Sequence, residues 1–315
     1  MSLLKKSSNL LFVLKYNKIM KNNFKKAFSL FEISIAILIV GILTAAISKG
    51  VDLAYDMRLA TARSLTDKAP MYGIDNLELW LETTSKESLA KGTTSFVNVE
   101  NPADRQAIGR WNDLNPATLN SSYKNHASQA TSALQPLYIK DGINGLPALL
   151  FDGIDDFLLY NGNFLANSDY TIFVVEARTG SVANNFFLAG SELTESNNLI
   201  LGYSSNTTIA HSHLGTANKI ENTISAYGSP TPRVHSFAFG RKFGKESYTN
   251  GGQKISSASQ TNPLASYTNS SIGKAYTANY FKGFVGEIII YSRNLNDADR
   301  KLIETYLIEK WRIKL

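Results

Sequence analysis

The chain has 315 residues, 43% apolar and 18% charged, which fits one large globular domain with an appendage and excludes disordered and fibrous classes. It has no cysteine, so a disulfide scaffold, a thiolate metal site and a cysteine nucleophile are all excluded. The formal charge is +6, but residues 1–27 hold seven lysines and no acid; removing those seven from the 32 basic residues leaves 25 against 26 acids, so no basic folded face remains and no nucleic-acid partner is expected.

Residues 28–47 read FSLFEISIAILIVGILTAAI, twenty residues with a single charge, Glu32. A helix of that length is roughly 30 Å long, the thickness of a bilayer's hydrocarbon core. Lys25 and Lys26 precede it, which places the basic side in the cytoplasm and predicts export of the rest of the chain. A secretory signal has a shorter apolar region and no reason to carry a carboxylate at membrane depth, which costs about 2.5–3.5 kcal/mol on insertion scales.

The string Lys25-Lys26-Ala27-Phe28-Ser29-Leu30-Phe31-Glu32 followed by an apolar helix resembles the type IV prepilin N-terminus. The resemblance implies cleavage by a prepilin peptidase between Ala27 and Phe28, and methylation of the new Phe28 amine. It implies that Glu32 serves subunit assembly, because a carboxylate four residues on can pair with the cationic terminus of a neighbouring subunit. Gly41 falls where the family often has a glycine; Ala27 stands where it usually has one before the cut. Met20 would give a leader of ordinary length, so it is expected to be the true start. Residues 1–27 are thus a leader, and 28–69 a membrane helix that extends outward past Leu53, Met57 and Ala60. Residues 70–76 are a linker opened by Pro70 and Gly73.

From residue 77 to 315, short apolar or alternating runs recur between clusters of Gly, Asn, Ser, Asp and Pro, as in 146–160, 170–177, 199–203, 234–240 and 284–291. This pattern predicts an antiparallel β-sandwich. Only the end departs from it: Asn296-Asp297-Ala298-Asp299 can cap a helix, and Leu302, Ile303, Tyr306, Leu307 and Trp311 then recur at helical spacing. Trp80 and Trp111 are expected in the core, and Trp311 on the docking face of the terminal helix. Several segments resemble concanavalin A-like, laminin-G-like jelly-roll domains: Leu77-Glu78-Leu79-Trp80, Arg110-Trp111-Asn112-Asp113, residues 142–158, and residues 281–293. The glycine-rich turn usual after the Trp-Asn-Asp segment is replaced here by Asn115-Pro116-Ala117-Thr118. The expected fold class is therefore an all-β antiparallel jelly-roll sandwich with a long N-terminal transmembrane helix and a short C-terminal helix.

Glycosidases occur on this fold and need two carboxylates flanking the sugar bond. Glu287 is followed by Ile288-Ile289-Ile290-Tyr291 and Glu176 has no acid at strand spacing, so the chain is expected not to be an enzyme. His211 and His213 share one strand face, with His126 and His235 distant; two imidazoles without a third ligand do not make a zinc site. Asp152, Asp155 and Asp156 surround Gly153. They read first as turn chemistry and second as a calcium site, so no cofactor is expected beyond a possible calcium ion. The whole reads as a pilin-like or pseudopilin-like filament subunit, of the minor kind because the head is bulky, displaying an interaction or adhesion domain. Its expected partners are other pilin-type subunits, a prepilin peptidase, an inner-membrane assembly platform, and a surface glycan or matrix ligand. The alternative is a membrane-tethered lectin that never enters a filament. In both cases the chain crosses the inner membrane once, leader inside and head exported.

Overall fold

The computed structural model describes residues 30–190, 199–213, 219–265, 270–275 and 279–315. They fall into two compact units, one ending at Ala54 and one running from Tyr55 to Leu315. Helix α1 spans Leu30–Thr66. In the first unit its apolar side chains are open: Leu30, Ile37, Leu38 and Val40 are each more than 60% exposed. Ser34 and Thr44 donate their hydroxyls to the carbonyls of Leu30 and Val40, at 2.7 and 2.8 Å, so neither hydroxyl requires water. Among the described residues α1 is the one helix long and apolar enough to cross a membrane.

The second unit begins inside the same helix. Tyr55, Leu59, Ala62 and Thr66 are buried, one stripe at helical spacing. Arg63 Nε donates to the Thr84 carbonyl at 2.7 Å, and the Tyr55 and Tyr138 hydroxyls lie 3.2 Å apart. A fragment starting at Tyr55 is therefore expected to be more stable than one starting at Met71. Burying a large apolar side chain is worth about 1.5–3 kcal/mol, and the shorter fragment loses two such side chains and a carbonyl's partner. Thermal melts of the two fragments check this; equal midpoints would show that the last turns of α1 contribute nothing.

The rest of this unit is a sandwich of two antiparallel sheets. The nine-stranded sheet runs Ile255–Ser257, Gly244–Thr249, Arg233–Gly240, Tyr170–Arg178, Lys282–Tyr291, Leu146–Asp152, Leu137–Ile143 and Gln106–Ala107, with Leu77–Glu82 also paired to Lys282–Tyr291. The ten-stranded sheet runs Lys219–Thr223, Thr208–His213, Leu199–Ser205, Asn185–Gly190, Ser270–Ile272, Leu158–Tyr160, Ala127–Ser128, Arg110–Trp111, Leu89–Lys91 and Val97–Asn98. Leu79, Trp111, Phe151, Ile172, Phe187, Leu201, Phe237 and Ile288 pack between them.

A second core lies on the outer face of the nine-stranded sheet. There Trp80, Phe173, Val175 and Ile289 meet Ala62 of α1 and Leu307 and Trp311 of helix α2, Asp297–Trp311. The sheet is covered on both faces, which is why all nine residues of Tyr170–Arg178 are buried. The Asn296 side chain caps α2 by accepting from Asp299 N at 2.9 Å. At its other end, Asn144 Nδ2 donates to the carbonyls of Trp311 and Arg312. Asn144 and Gly145 have φ of 49° and 83°, the tight hairpin conformation that an Asn-Gly pair favours. A Cβ on Gly145 would also meet the Arg58 guanidinium at 2.8 Å.

Candidate functional site

Ala27 and Phe28, the expected processing site, lie outside the described residues. Glu32 sits in the first turn of α1 and is exposed. A carboxylate at that position is favoured by the positive end of the helix dipole.

Asp152, Asp155 and Asp156 are brought together, with one carboxylate oxygen of each within 4.8 Å of the others. Asp152 closes its strand and Gly153, at φ +80°, turns the chain. Asp152 Oδ1 accepts from the backbone N–H of Ile154 and Asp155 at 2.7 and 3.2 Å, and Asp156 Oδ2 accepts from Asp152 N at 3.0 Å. Burial, and then the charge of Asp152, push Asp156 up to about 7. The three carboxylates are hard ligands that could hold a divalent cation, and the same bonds suffice for an acidic turn.

His211 and His213 do share an interior face. Tyr170 OH lies 2.8 Å from Nε2 of His211 and 2.5 Å from Nε2 of His213, while their Nδ1 atoms face the carbonyls of Glu246 and Asn262. With both Nδ1 atoms donating, one phenol proton must serve two acceptor nitrogens. Burial holds His213 down to about 3 and His211 well below its usual value. Nearby, Lys245 Nζ is buried over the Phe239 ring with no hydrogen-bond partner, and burial brings it down to about 8. His235 is not part of this group: its Nε2 meets Glu176 Oε1 at 3.0 Å, and Glu176 also accepts from Tyr203 OH at 2.5 Å.

Glu287 is not a lone acid. Leu77–Glu82 and Lys282–Tyr291 pair in a register that sets Glu82 opposite Glu287. Lys310, reaching in from α2, bridges both carboxylates at 3.0 and 2.9 Å, and all three side chains are fully buried. Glu287 also accepts from Trp80 Nε1, Trp311 Nε1 and Tyr306 OH. Glu82 accepts from Thr84 N, Thr84 Oγ1, Ser85 N and Ser88 Oγ. The charge of Lys310 and these donors outweigh burial and hold Glu82 near 2. No signal in the sequence joined these residues, because the register that pairs them spans the length of the domain.

These environments fix a pH dependence. His213, His211 and His126 are all depressed from an ordinary 6.5, so the unfolded chain binds protons that the fold refuses. Their contribution is complete above about 6.5 and is lost as pH falls. Glu82, depressed from 4.5 to about 2, adds a loss below 4.5. Asp156 runs the other way: raised from 3.8 to about 7, its contribution is complete below 3.8 and lost as pH rises through 7. Asp113, also raised by burial, acts in the same direction as Asp156, but the three histidines and Glu82 together outweigh the two carboxyls, so the urea midpoint is expected to fall below pH 6.5. A midpoint unchanged between pH 6.5 and 4 would contradict this.

No protein-family model and no curated protein matches the chain. Solved structures do. A Trypanosoma rangeli sialidase bound to 2,3-difluorosialic acid is 14% identical, with a TM-score of 0.50 over 84% of this chain and 39% of the sialidase. The binding domain of Paraclostridial Mosquitocidal Protein 1 is 13% identical, with a TM-score of 0.48 over 76% of this chain and 56% of that one. Domain 4 of AbnA, a GH43 arabinanase of Geobacillus stearothermophilus in complex with arabinotriose, is 15% identical, with a TM-score of 0.44 over 54% of this chain and 80% of the domain. The chain spans about a third of the length of several of the sialidases it matches, at 33%. At these identities the likeness is one of fold.

One expectation is corrected. The lack of acids two and four residues from Glu287 argued against an enzyme, yet a part of a sialidase, 39% of its length, is similar in fold to 84% of this chain. Two carboxylates that flank a substrate need not lie on one strand; Glu82 and Glu287 meet across two, although these are buried and bridged by Lys310. The spacing of acids along a strand therefore does not exclude hydrolysis.

Proposed function

We propose that the chain is a pilin-like or pseudopilin-like filament subunit of low abundance. Its sandwich is read as a concanavalin A-like, laminin-G-like jelly roll displayed as an interaction head. The observation that carries the reading is the membrane-length apolar stretch 28–47, whose one charge, Glu32, lies in the first turn of α1. In a helical bundle that carboxylate is placed to neutralise the amine of an adjacent subunit. The partners on this reading are other pilin-type subunits, a prepilin peptidase and an inner-membrane assembly platform, with the head exported.

The mature chain is expected to begin at Phe28 and to carry one added methyl group on its amine. Intact mass and N-terminal sequencing test this. A start near Ile47 would mark an ordinary signal peptide and remove the filament reading. A second reading, a membrane-tethered carbohydrate-binding domain, keeps the head and denies α1 any assembly role. It is favoured by the exposed apolar length of α1, which suffices for an anchor alone, and an unprocessed N-terminus would select it.

A further inference from the structure

At one end of the sandwich the interior turns from apolar to charged. Along the inward face of Tyr170–Arg178, Ile172 and Val174 give way to Glu176 and Arg178, and Arg233 pairs opposite Glu176 on the next strand. Arg178 is fully buried. Its guanidinium stacks on Tyr203 at 4.1 Å and Tyr227 at 5.6 Å, and Nη2 donates to the carbonyls of Asn206 and Ser225. Nε and Nη1 have no partner. Arg233 uses only Nη1, donating to Tyr203 OH and the Thr231 carbonyl at 3.2 and 3.3 Å. Two guanidinium groups thus share this end of the sandwich with one carboxylate, that of Glu176, whose Oε1 accepts from Tyr203 OH and meets His235 Nε2 while its Oε2 has no partner. Buried charge is almost always paired, and here two buried guanidinium groups meet a single carboxylate, so this end of the sandwich carries one positive charge in excess.

A cleft of about 440 Å³ opens over the cluster, between the edge strand Lys219–Thr223 of one sheet and the paired strands Gly244–Thr249 and Ile255–Ser257 of the other. Arg233 lines its floor, Ser225 links it to Arg178, and Asn222, Thr249, Asn250 and Gln253 line its walls. The volume lies in the range of about 300–1,000 Å³ that small-ligand sites occupy. Uncharged amides and hydroxyls are what sugar hydroxyls bond to, and a single guanidinium edge matches one planar carboxylate. A phosphate or sulfate site would gather more cations at the rim, and the lining holds no lysine and no second arginine.

We infer that this cleft binds a carboxylate-bearing saccharide, with the acid group on Arg233 and the hydroxyls on the amide walls. This goes beyond the filament reading and is read out by binding alone, so the two can fail separately. The test titrates the full chain in detergent micelles with cellobiouronic acid and digalacturonic acid, and with cellobiose as the neutral match, by calorimetry. At least one acid is expected to bind at least ten-fold more tightly than cellobiose. Arg233→Gln, checked for folding by its melting curve, should abolish that difference, and Asn222→Ala should weaken acid and neutral sugar by the same few-fold factor. Should Arg233→Gln fail to fold, Gln253→Trp decides, because it fills the cleft from an exposed position and should remove binding. No saturable binding of either acid, equal affinity for acid and neutral sugar, displacement by inorganic sulfate at matching concentration, or binding that survives both variants would each overturn the assignment.

Discussion

Lys310→Met is expected to lower the stability of the sandwich by about 3–5 kcal/mol, the cost of breaking a buried ion pair from one side. Methionine fills the volume but leaves Glu82 and Glu287 facing each other across paired strands with no cation between them. One carboxyl must then take up a proton or the end of α2 must lift, uncovering Trp311. In a domain of this size the loss corresponds to a fall in melting temperature on the order of 10 °C. Lys310 is itself raised above its ordinary 10.5, chiefly by Glu287 and Glu82 acting against burial. The stability it supplies is therefore complete below about 10.5 and lost only as pH rises beyond that. Adding Glu287→Gln to Lys310→Met should recover part of the loss, since one uncompensated charge is removed. Urea melts of the single and double variants check both statements, and a single-variant loss below about 1 kcal/mol would mean that the triad is held by packing alone.

On the proposed filament reading, Glu32→Leu should leave insertion and processing intact and abolish or greatly reduce incorporation into filaments. The substitution removes a charge whose burial costs about 2.5–3.5 kcal/mol on insertion scales, so entry into the bilayer becomes easier. Ala27 and Phe28 are untouched. In an assembled bundle the Phe28 amine of a neighbour loses its counter-charge, at a cost of about 3–5 kcal/mol. If the subunit initiates or caps a filament, the loss appears as fewer filaments rather than shorter ones. Wild-type amounts of the variant in sheared filament fractions would leave Glu32 without an assembly role, and the tethered-domain reading would stand in its place.

What the sequence made legible was local. Asn296 caps α2, and Trp80, Trp111 and Trp311 are all fully buried, because caps and large aromatics follow from nearby residues. The shared face of His211 and His213 followed from the two-residue period of a strand, but their common partner Tyr170 did not, since it lies on the opposite sheet. Glu82, Glu287 and Lys310 belong to three elements joined only by register and docking, and nothing within a few residues of any of them announces the others. The same holds for Arg178 and Arg233. Each reads in sequence as a charged residue at the end of an apolar run, and only the pairing of their strands turns both inward. Periodicity in the sequence picks out Leu53, Met57 and Ala60, which are exposed, whereas the buried stripe is Tyr55, Leu59, Ala62 and Thr66, because the partners that bury it lie far along the chain.

The pairing of Leu77–Glu82 with Lys282–Tyr291 also bears on timing. The strand made first waits for one made more than two hundred residues later, and that late strand is the shared neighbour of Leu77–Glu82, Tyr170–Arg178 and Leu146–Asp152. Contacts so distant in sequence form slowly, because loop closure precedes any reward. A polypeptide interrupted before residue 282 has no middle to its nine-stranded sheet and no Lys310 to neutralise Glu82. A chain stalled short of that point is expected to remain open and accessible to proteases. Completion of the last strand and of α2 is thus expected to be the step that closes the domain.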